Sequence, residues 1–302
     1  MSENLLLEEM TWPEVEAAIN LGTTTVVIAV GAVEQHGPHL PLLVDAVRGD
    51  RLAVEVARRL GNSLAAPTIR VGCSEHHMGF AGTLTLRRST LQAICIDYAV
   101  SLARHGFTRL CFVPSHGGNF GPLEEMLPDL GAAVGPDCKV DAYTDLIGFV
   151  ALWEAALLEV APELVGRVGG HADIAETSEI LCIRPDLVRA ERAEEGHVET
   201  FDDELKTRIF EEGFRSVTSN GILGDARGAT EEIGLACISH AADGIARSRD
   251  AAGRPPGRAR LGAKRRSGRR RRLWRRRGAA AAARRRARAC RSARRPRAAA
   301  CR

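Results

Sequence analysis

Apolar positions along the chain recur in two alternating rhythms, one of helices and one of strands. TWPEVEAAI opens with the first, Thr11 standing as N-cap with Glu14 three residues later and Pro13 in the first turn. TTTVVIAVGAV, residues 23–33, is β-branched and apolar on both alternations, which predicts a strand at the centre of a sheet covered on both faces. An amphipathic helix over 45–60 follows, then a second strand, SLAAPTIRVG at 63–72. RSTLQAICIDYAVSLARHG is a long helix ended by Gly106, and TRLCFVPSHGGN is a third strand with a Gly-Gly turn into the helix of PLEEMLPDLGAAV. CKVDAYTD is a fourth strand. Strands alternating with helices predict an α/β domain: a mixed, largely parallel sheet between two helical layers.

Charge divides the chain more sharply than any turn does. The whole of it carries a formal +4, yet the stretch from Arg254 to Arg302 holds 22 basic residues and no acidic one. Residues 1–253 therefore have 20 basic against 38 acidic side chains. An acidic body of this kind is not a nucleic-acid-binding surface, and aromatics at 4% leave no platform for stacking bases. The expected organisation is a folded domain over 1–250 and a tail over 251–302. That tail, almost wholly Arg, Ala, Gly and Pro, cannot bury enough apolar surface to fold alone. Two readings of it stay open: a basic arm for nucleic acid or anionic surfaces, and a GC-rich frame translated out of phase. The eight cysteines are scattered without a C-x-x-C pair, which reads as reduced and cytoplasmic. The leader MSENLLLEEM has acids where a secretory signal needs bases, and no apolar run approaches the roughly 18 residues of a membrane span.

Ligands gather at the carboxyl ends of parallel strands, and the residues just after each apolar run are polar in an unusual way. After the first come Glu34, Gln35, His36, His39 and Asp45; after the second, Glu75, His76 and His77; after the third, Ser115, His116 and Asn119. Glu34 and His36, two apart on extended chain, point the same way, and Asp45 has two oxygens with which to bridge two ions. Imidazole with carboxylate is a ligand set for zinc, manganese or iron, and needs no thiolate.

The segments GAVEQHGPHLPLLVDAV, H-x-x-FAGTLTL, SHGGN, GGHADIAETS and NGILGDARGATEEIG, in this order, resemble the creatininase family of metal-dependent amidohydrolases over about residues 8–247. The resemblance implies a three-layer α/β/α sandwich, two divalent ions (Zn, Mn or Fe) per subunit, and a homohexamer. It also implies metal ligands Glu34, His36, Asp45, His116 and Glu176, with Asp45 bridging and His171 catalytic. The reaction it implies is cleavage of a C–N bond by a metal-activated water. Where creatininase proper has H-Y-E after the third strand, this chain has His116-Gly117-Gly118, and Gly170 stands before His171 where creatininase has Glu. Both departures point away from creatinine and toward another small cyclic amide or a formamide. A peptidase acting on a peptide-derived cofactor precursor is the alternative within the family. A non-catalytic binding protein with a basic nucleic-acid arm is the alternative outside it. His39, His76 and Asn119 are further candidates for substrate contacts, Thr230 for an N-cap, and Trp12 and Trp153 for core or interface positions.

Overall fold

Residues 4–198 and 203–253 are described by a computed structural model. Helix α1 (Trp12–Asn20) starts where the capping residues stand, and Glu14 Oε2 accepts from both the backbone N–H and the hydroxyl of Thr11 at 2.7 Å. The chain then alternates strand and helix: β1 (Thr25–Val30), α2 (Val44–Leu60), β2 (Ser63–Ala65), α3 (Arg88–Arg104), β3 (Arg109–Pro114), α4 (Phe120–Val134), β4 (Lys139–Ala142) and α5 (Leu146–Val160). After it come β5 (Val168–His171), α6 (Ile174–Ile183), α7 (Asp203–Glu212), β6 (Leu223–Gly224) and α8 (Glu231–Gly253).

The central sheet has the order β2-β1-β3-β4, and every pairing in it is parallel. The antiparallel component expected of a mixed sheet is a separate pair, β5 with β6. Strand β1 explains the layering. Val27 and Ala29 face a core shared with α2, α5, α6 and α8, whereas Val26, Ile28 and Val30 face a second core built with α3 and α4. All five side chains are fully buried, and each contributes at most about 1.5–3 kcal/mol of transfer free energy. This is the three-layer sandwich.

Two boundaries differ from the sequence pattern. The apolar run over 63–72 is broken after Ala65, because Pro67 has no N–H to give a ladder; the chain rejoins β1 only through Ile69, whose N–H donates to Ala29 O at 3.0 Å. The other is the expected limit at residue 250, which falls inside α8. The remainder of the basic tail lies outside the described residues. No helix among them is long and apolar enough to cross a membrane.

Helix α8 approaches α6 closely enough that a Cβ on Gly234 would lie 2.1 Å from the backbone oxygen of Ser178. Alanine favours a helix by about 1 kcal/mol over glycine, but backbone cannot step aside as a flexible side chain can. Gly234→Ala is therefore expected to destabilise the protein by about 1–3 kcal/mol, read as a fall in thermal midpoint; a midpoint unchanged or raised would show that the helices can separate freely.

Candidate metal centre

Five polar side chains meet where the carboxyl ends of the strands open. Glu34 and His36 lie on the loop after β1, Asp45 in the first turn of α2, His116 after β3, and Glu176 in the first turn of α6. Each is at most 3% exposed. Glu34 Oε1 lies 3.0 Å and Asp45 Oδ2 3.2 Å from His116 Nδ1, and this trio forms one group of convergent donors. His36 Nε2 lies 3.6 Å from Asp45 Oδ1 and 3.5 Å from Glu176 Oε2, a second group. Asp45 belongs to both, one oxygen turned to each.

Backbone geometry holds these groups in place. Gly118 passes so near the site that a Cβ there would sit 2.1 Å from Cys73 O and 2.6 Å from His116 Nε2, so the second glycine of H-G-G-N is a steric requirement. Strand β5 delivers His171, after which Ala172 takes a left-handed conformation, φ 51°, and turns the chain into α6. A non-glycine residue there is strained by roughly 1–3 kcal/mol. Asp173 secures the turn: Oδ1 accepts from the N–H groups of Ala175 and Glu176, and Oδ2 from those of Gly169 and Gly170, all within 3.1 Å. Ala172 N–H donates to Glu176 Oε2 at 2.6 Å, so the strained turn aims the carboxylate directly.

Burial dominates the electrostatics. It pushes the Glu34 carboxyl up to about 8, although the His116 and His36 imidazoles pull it down. Burial also disfavours a charged His36, but Asp45, Glu176 and Glu34 outweigh it and hold that imidazole at about 9. His116 is held well above its usual range against burial by Glu34 and Asp45, and Asp45 well below its own against burial by His36 and His116. His171, fully enclosed, is driven well down by burial and by His36, so it is neutral near pH 7. Its Nε2 lies 2.9 Å from the Gln35 backbone oxygen and 3.0 Å from the Gln35 side-chain amide nitrogen, and its Nδ1 is turned to the centre, 3.8 Å from both Glu34 Oε1 and Glu176 Oε2.

Both Glu34 oxygens, Asp45 Oδ2 and His36 Nε2 are buried without a hydrogen-bond partner among the described residues. Orphaned anionic and imidazole atoms converging on shared points fit divalent cations, and the mixture of N and O donors fits Zn, Mn or Fe. His76, His77 and His116 make a further group of three imidazoles without a carboxylate.

The candidates for substrate contacts separate. His76 borders an inner cavity of about 50 Å³, lined also by Asp45, His116, His171, Glu176 and Phe214, and an outer cleft of about 640 Å³ beside it. His39 and Asn119 line neither. His39 Nε2 pairs with Thr177 Oγ1 at 2.8 Å behind the centre. The Asn119 side chain ties Cys73 N–H to the carbonyls of Val30 and Gly31, each at 3.0 Å. The Asn119 amide is thus consumed in bracing the loops, as is His39 Nε2, while His39 Nδ1 is buried without a hydrogen-bond partner among the described residues. Trp153 is buried, whereas Trp12 is 77% exposed and so is not a core residue. Thr230 caps α8, its hydroxyl accepting from Ile233 N–H at 3.2 Å.

Arg48 and Glu179 were not singled out by the sequence pattern, and His77 stood only among the polar residues after the second apolar run. His77 Nδ1 lies against Glu34 Oε2, and Arg48 pairs with Glu176 and Glu179. The spacing offered a signal, since Arg48 is three residues from Asp45 and Glu179 three from Glu176, each on one helix face.

This α/β sandwich with an imidazole and carboxylate centre at its strand ends defines a class of hydrolase fold. The profile of the creatininase family, creatinine amidohydrolase, matches residues 8–248, and the chain belongs to that family of amidohydrolases; its likeness to creatinine amidohydrolases supports a hydrolase of non-peptide C–N bonds. It is 31% identical to a creatinine amidohydrolase of Pseudomonas putida over 82% of this chain and 96% of that one. It is also 30% identical to a mycofactocin precursor peptide peptidase of Mycobacterium ulcerans (strain Agy99), over 77% and 83% respectively. A solved structure described as creatininase Mn superposes with a TM-score of 0.67 at 29% identity, covering 84% of this chain and all of that one. A creatininase mutant described as Zn-Zn type does so with 0.68, at the same identity and coverage. These forms support divalent metal binding.

Replacing Asp173 by alanine would strip four amides, three of them buried, of their acceptor. We expect Asp173→Ala to cost about 2–3 kcal/mol in urea unfolding, with Asp173→Asn, which keeps one carbonyl oxygen, falling between it and wild type; an unperturbed Asp173→Ala would mean that this cap does not hold the turn.

Proposed function

We propose that the protein is a two-metal amidohydrolase of a small cyclic amide or a formamide. Glu34, Asp45 and His116 would hold one ion, and His36, Asp45 and Glu176 the other, with Asp45 bridging. The observation that carries this reading is the pair of donor groups sharing Asp45, with orphaned oxygens turned inward. Two divalent cations there would supply a water acidic enough to ionise near neutral pH and would polarise the scissile carbonyl. The chain's own residues do the rest. His171, neutral and with Nδ1 facing the centre, accepts the proton of the attacking water and passes it to the leaving nitrogen. His76, at the boundary of cavity and cleft, contacts the substrate. Phe214 lies across the His77 and His171 rings, at 4.0 and 4.8 Å between centroids, and keeps bulk water from them.

The small inner cavity favours a formyl or compact cyclic acyl group, with the remainder of the substrate in the outer cleft. The size of that cleft favours a second reading, a peptidase for a peptide-derived precursor, in keeping with the mycobacterial relatives. The homohexamer implied by the sequence resemblance belongs to the same proposal. Trp12 and Leu21, 77% and 87% exposed, are apolar surface that an assembly would cover, and light scattering gives its stoichiometry. Cytoplasmic residence is supported by the absence of any disulfide among the described cysteines.

Elemental analysis should find about two transition-metal ions per chain, falling in both His36→Ala and Asp45→Ala. His171→Ala should keep the metal and lose about 10²–10⁴-fold in kcat on whichever amide, formamide or peptide turns over in a screen. Metal-free wild type that takes up no added Zn or Mn would sink the reading. A chain ending at Gly253 should retain metal and turnover; if it loses both, the tail is part of the enzyme.

A further inference from the structure

Five residues border both the inner cavity and the outer cleft: His76, Gly117, Phe120, Leu146 and Phe210. They form the wall that a substrate passes to bring its amide to the centre, and four of them are fixed. Phe120 is 4% exposed and stands edge-on to Tyr143 and Phe149, at 6.3 and 5.8 Å between centroids. Leu146 opens α5 and packs on the same core. Gly117 has no side chain to move, and His76 is backed by two imidazoles, His77 at 4.4 Å and His116 at 5.5 Å.

Phe210 is the exception. It stands in the last turn of α7, next to Ile209, which is buried and anchors the helix among Leu205, Phe214 and Leu223. Phe210 itself is 42% exposed, and its ring leans on His76 at 4.5 Å between centroids, tilted by 46°. The backbone is held while the ring is partly open to solvent, so a change of rotamer takes it off His76 without unpacking the helix. Elsewhere the inner cavity cannot give. Trp153 lines it, fully packed, donates its indole N–H to Glu179 at 3.1 Å, and has the buried Arg48 guanidinium stacked 4.8 Å from its ring centre. Phe214 is pinned on the His77 and His171 rings. Extra volume in a ligand at the centre therefore has one outlet, past Phe210.

We propose, on the reading above of a compact acyl group in the inner cavity, that Phe210 is a specificity-determining residue of this centre. Its ring closes the passage between cavity and cleft, admitting a reacting group that is slim at the carbon beside the scissile carbonyl and turning away one that is branched there. A branched group has to swing the ring off His76 and lose that stack, so selection at this point acts on shape rather than charge.

The test uses full-length protein loaded with Zn(II), the metal counted per chain, and two hydroxamates with the same metal-binding head: acetohydroxamate, which carries a methyl group, and trimethylacetohydroxamate, which carries a tert-butyl group. Affinities are read by isothermal titration calorimetry. Wild type should favour the methyl compound by about tenfold or more. Phe210→Ala should keep its Zn, bind acetohydroxamate within about twofold of wild type, and bring the two compounds to within about threefold of each other. Phe210→Trp, which fills more of the same passage, should widen the gap and reads the same relation if the alanine variant folds poorly. Equal binding in wild type, a ratio that neither variant moves, or an alanine variant that keeps its Zn and binds neither compound overturns the role of Phe210 while the metal centre stands. Wild type that takes up no Zn, or that holds Zn and binds neither hydroxamate, overturns the reading of the centre on which that role rests.

Discussion

The constraint on which the rest of the structure depends is the burial of like charges. Glu34, Asp45 and Glu176 lie with His36 and His116 in a space nearly closed to water, each at most 3% exposed. Left alone, three carboxylates so placed repel one another and forgo their hydration, a cost that a fold sustains only when cations or protons share the site. Part of the compensation is internal, in Arg48 and in the raised proton affinities of Glu34, His36 and His116. The remainder is what a metal would supply, with protons leaving as it entered.

Such a site needs a stiff frame, and the architecture gives one. Parallel strands bring β1 and β3 to the same edge, so the loops after Val30 and Pro114 emerge side by side, and α2 begins close enough for Asp45 to face both His36 and His116. The fifth donor comes from farther along the chain, through the β5 turn and the first residues of α6. That turn carries the strained backbone at Ala172 and four amides on one Asp173 carboxylate. Strain and capping sit together where the Ala172 N–H fixes the Glu176 carboxylate, giving it a definite direction that an exposed loop would not.

Much of this was legible in the sequence for a physical reason. Parallel strands covered on both faces must be apolar throughout, so the runs around Val27 and Phe112 announced themselves, and the polar residues after them marked the strand ends. The Thr11 and Glu14 capping pair was equally plain. Less visible was whatever depends on partners distant in the chain. His39 and Asn119 stand in the same polar loops as the ligand candidates, and only the fold shows His39 Nε2 paired with Thr177 and the Asn119 amide donating to the Val30 and Gly31 carbonyls while accepting from Cys73 N–H. Arg48 has the spacing of an ordinary helix-surface ion pair, and nothing local distinguishes a buried cation from a solvated one. Pro67, by contrast, was readable as a ladder breaker, and the run from Ser63 to Gly72 was too long for a strand containing it.

The stacking of Arg48 on Trp153 has an optical consequence. Of the two described tryptophans, Trp12 is largely in water, whereas Trp153 is 2% exposed, lies beneath a guanidinium and donates its indole N–H to Glu179. Indole emission shifts with the local field, so Trp153 forms the blue edge of the protein's fluorescence and sits one residue removed from the carboxylates of the centre. Changes in the charge of that centre are thereby written into the emission colour of a native chromophore, and filling and emptying can be followed in real time without a label or a substrate.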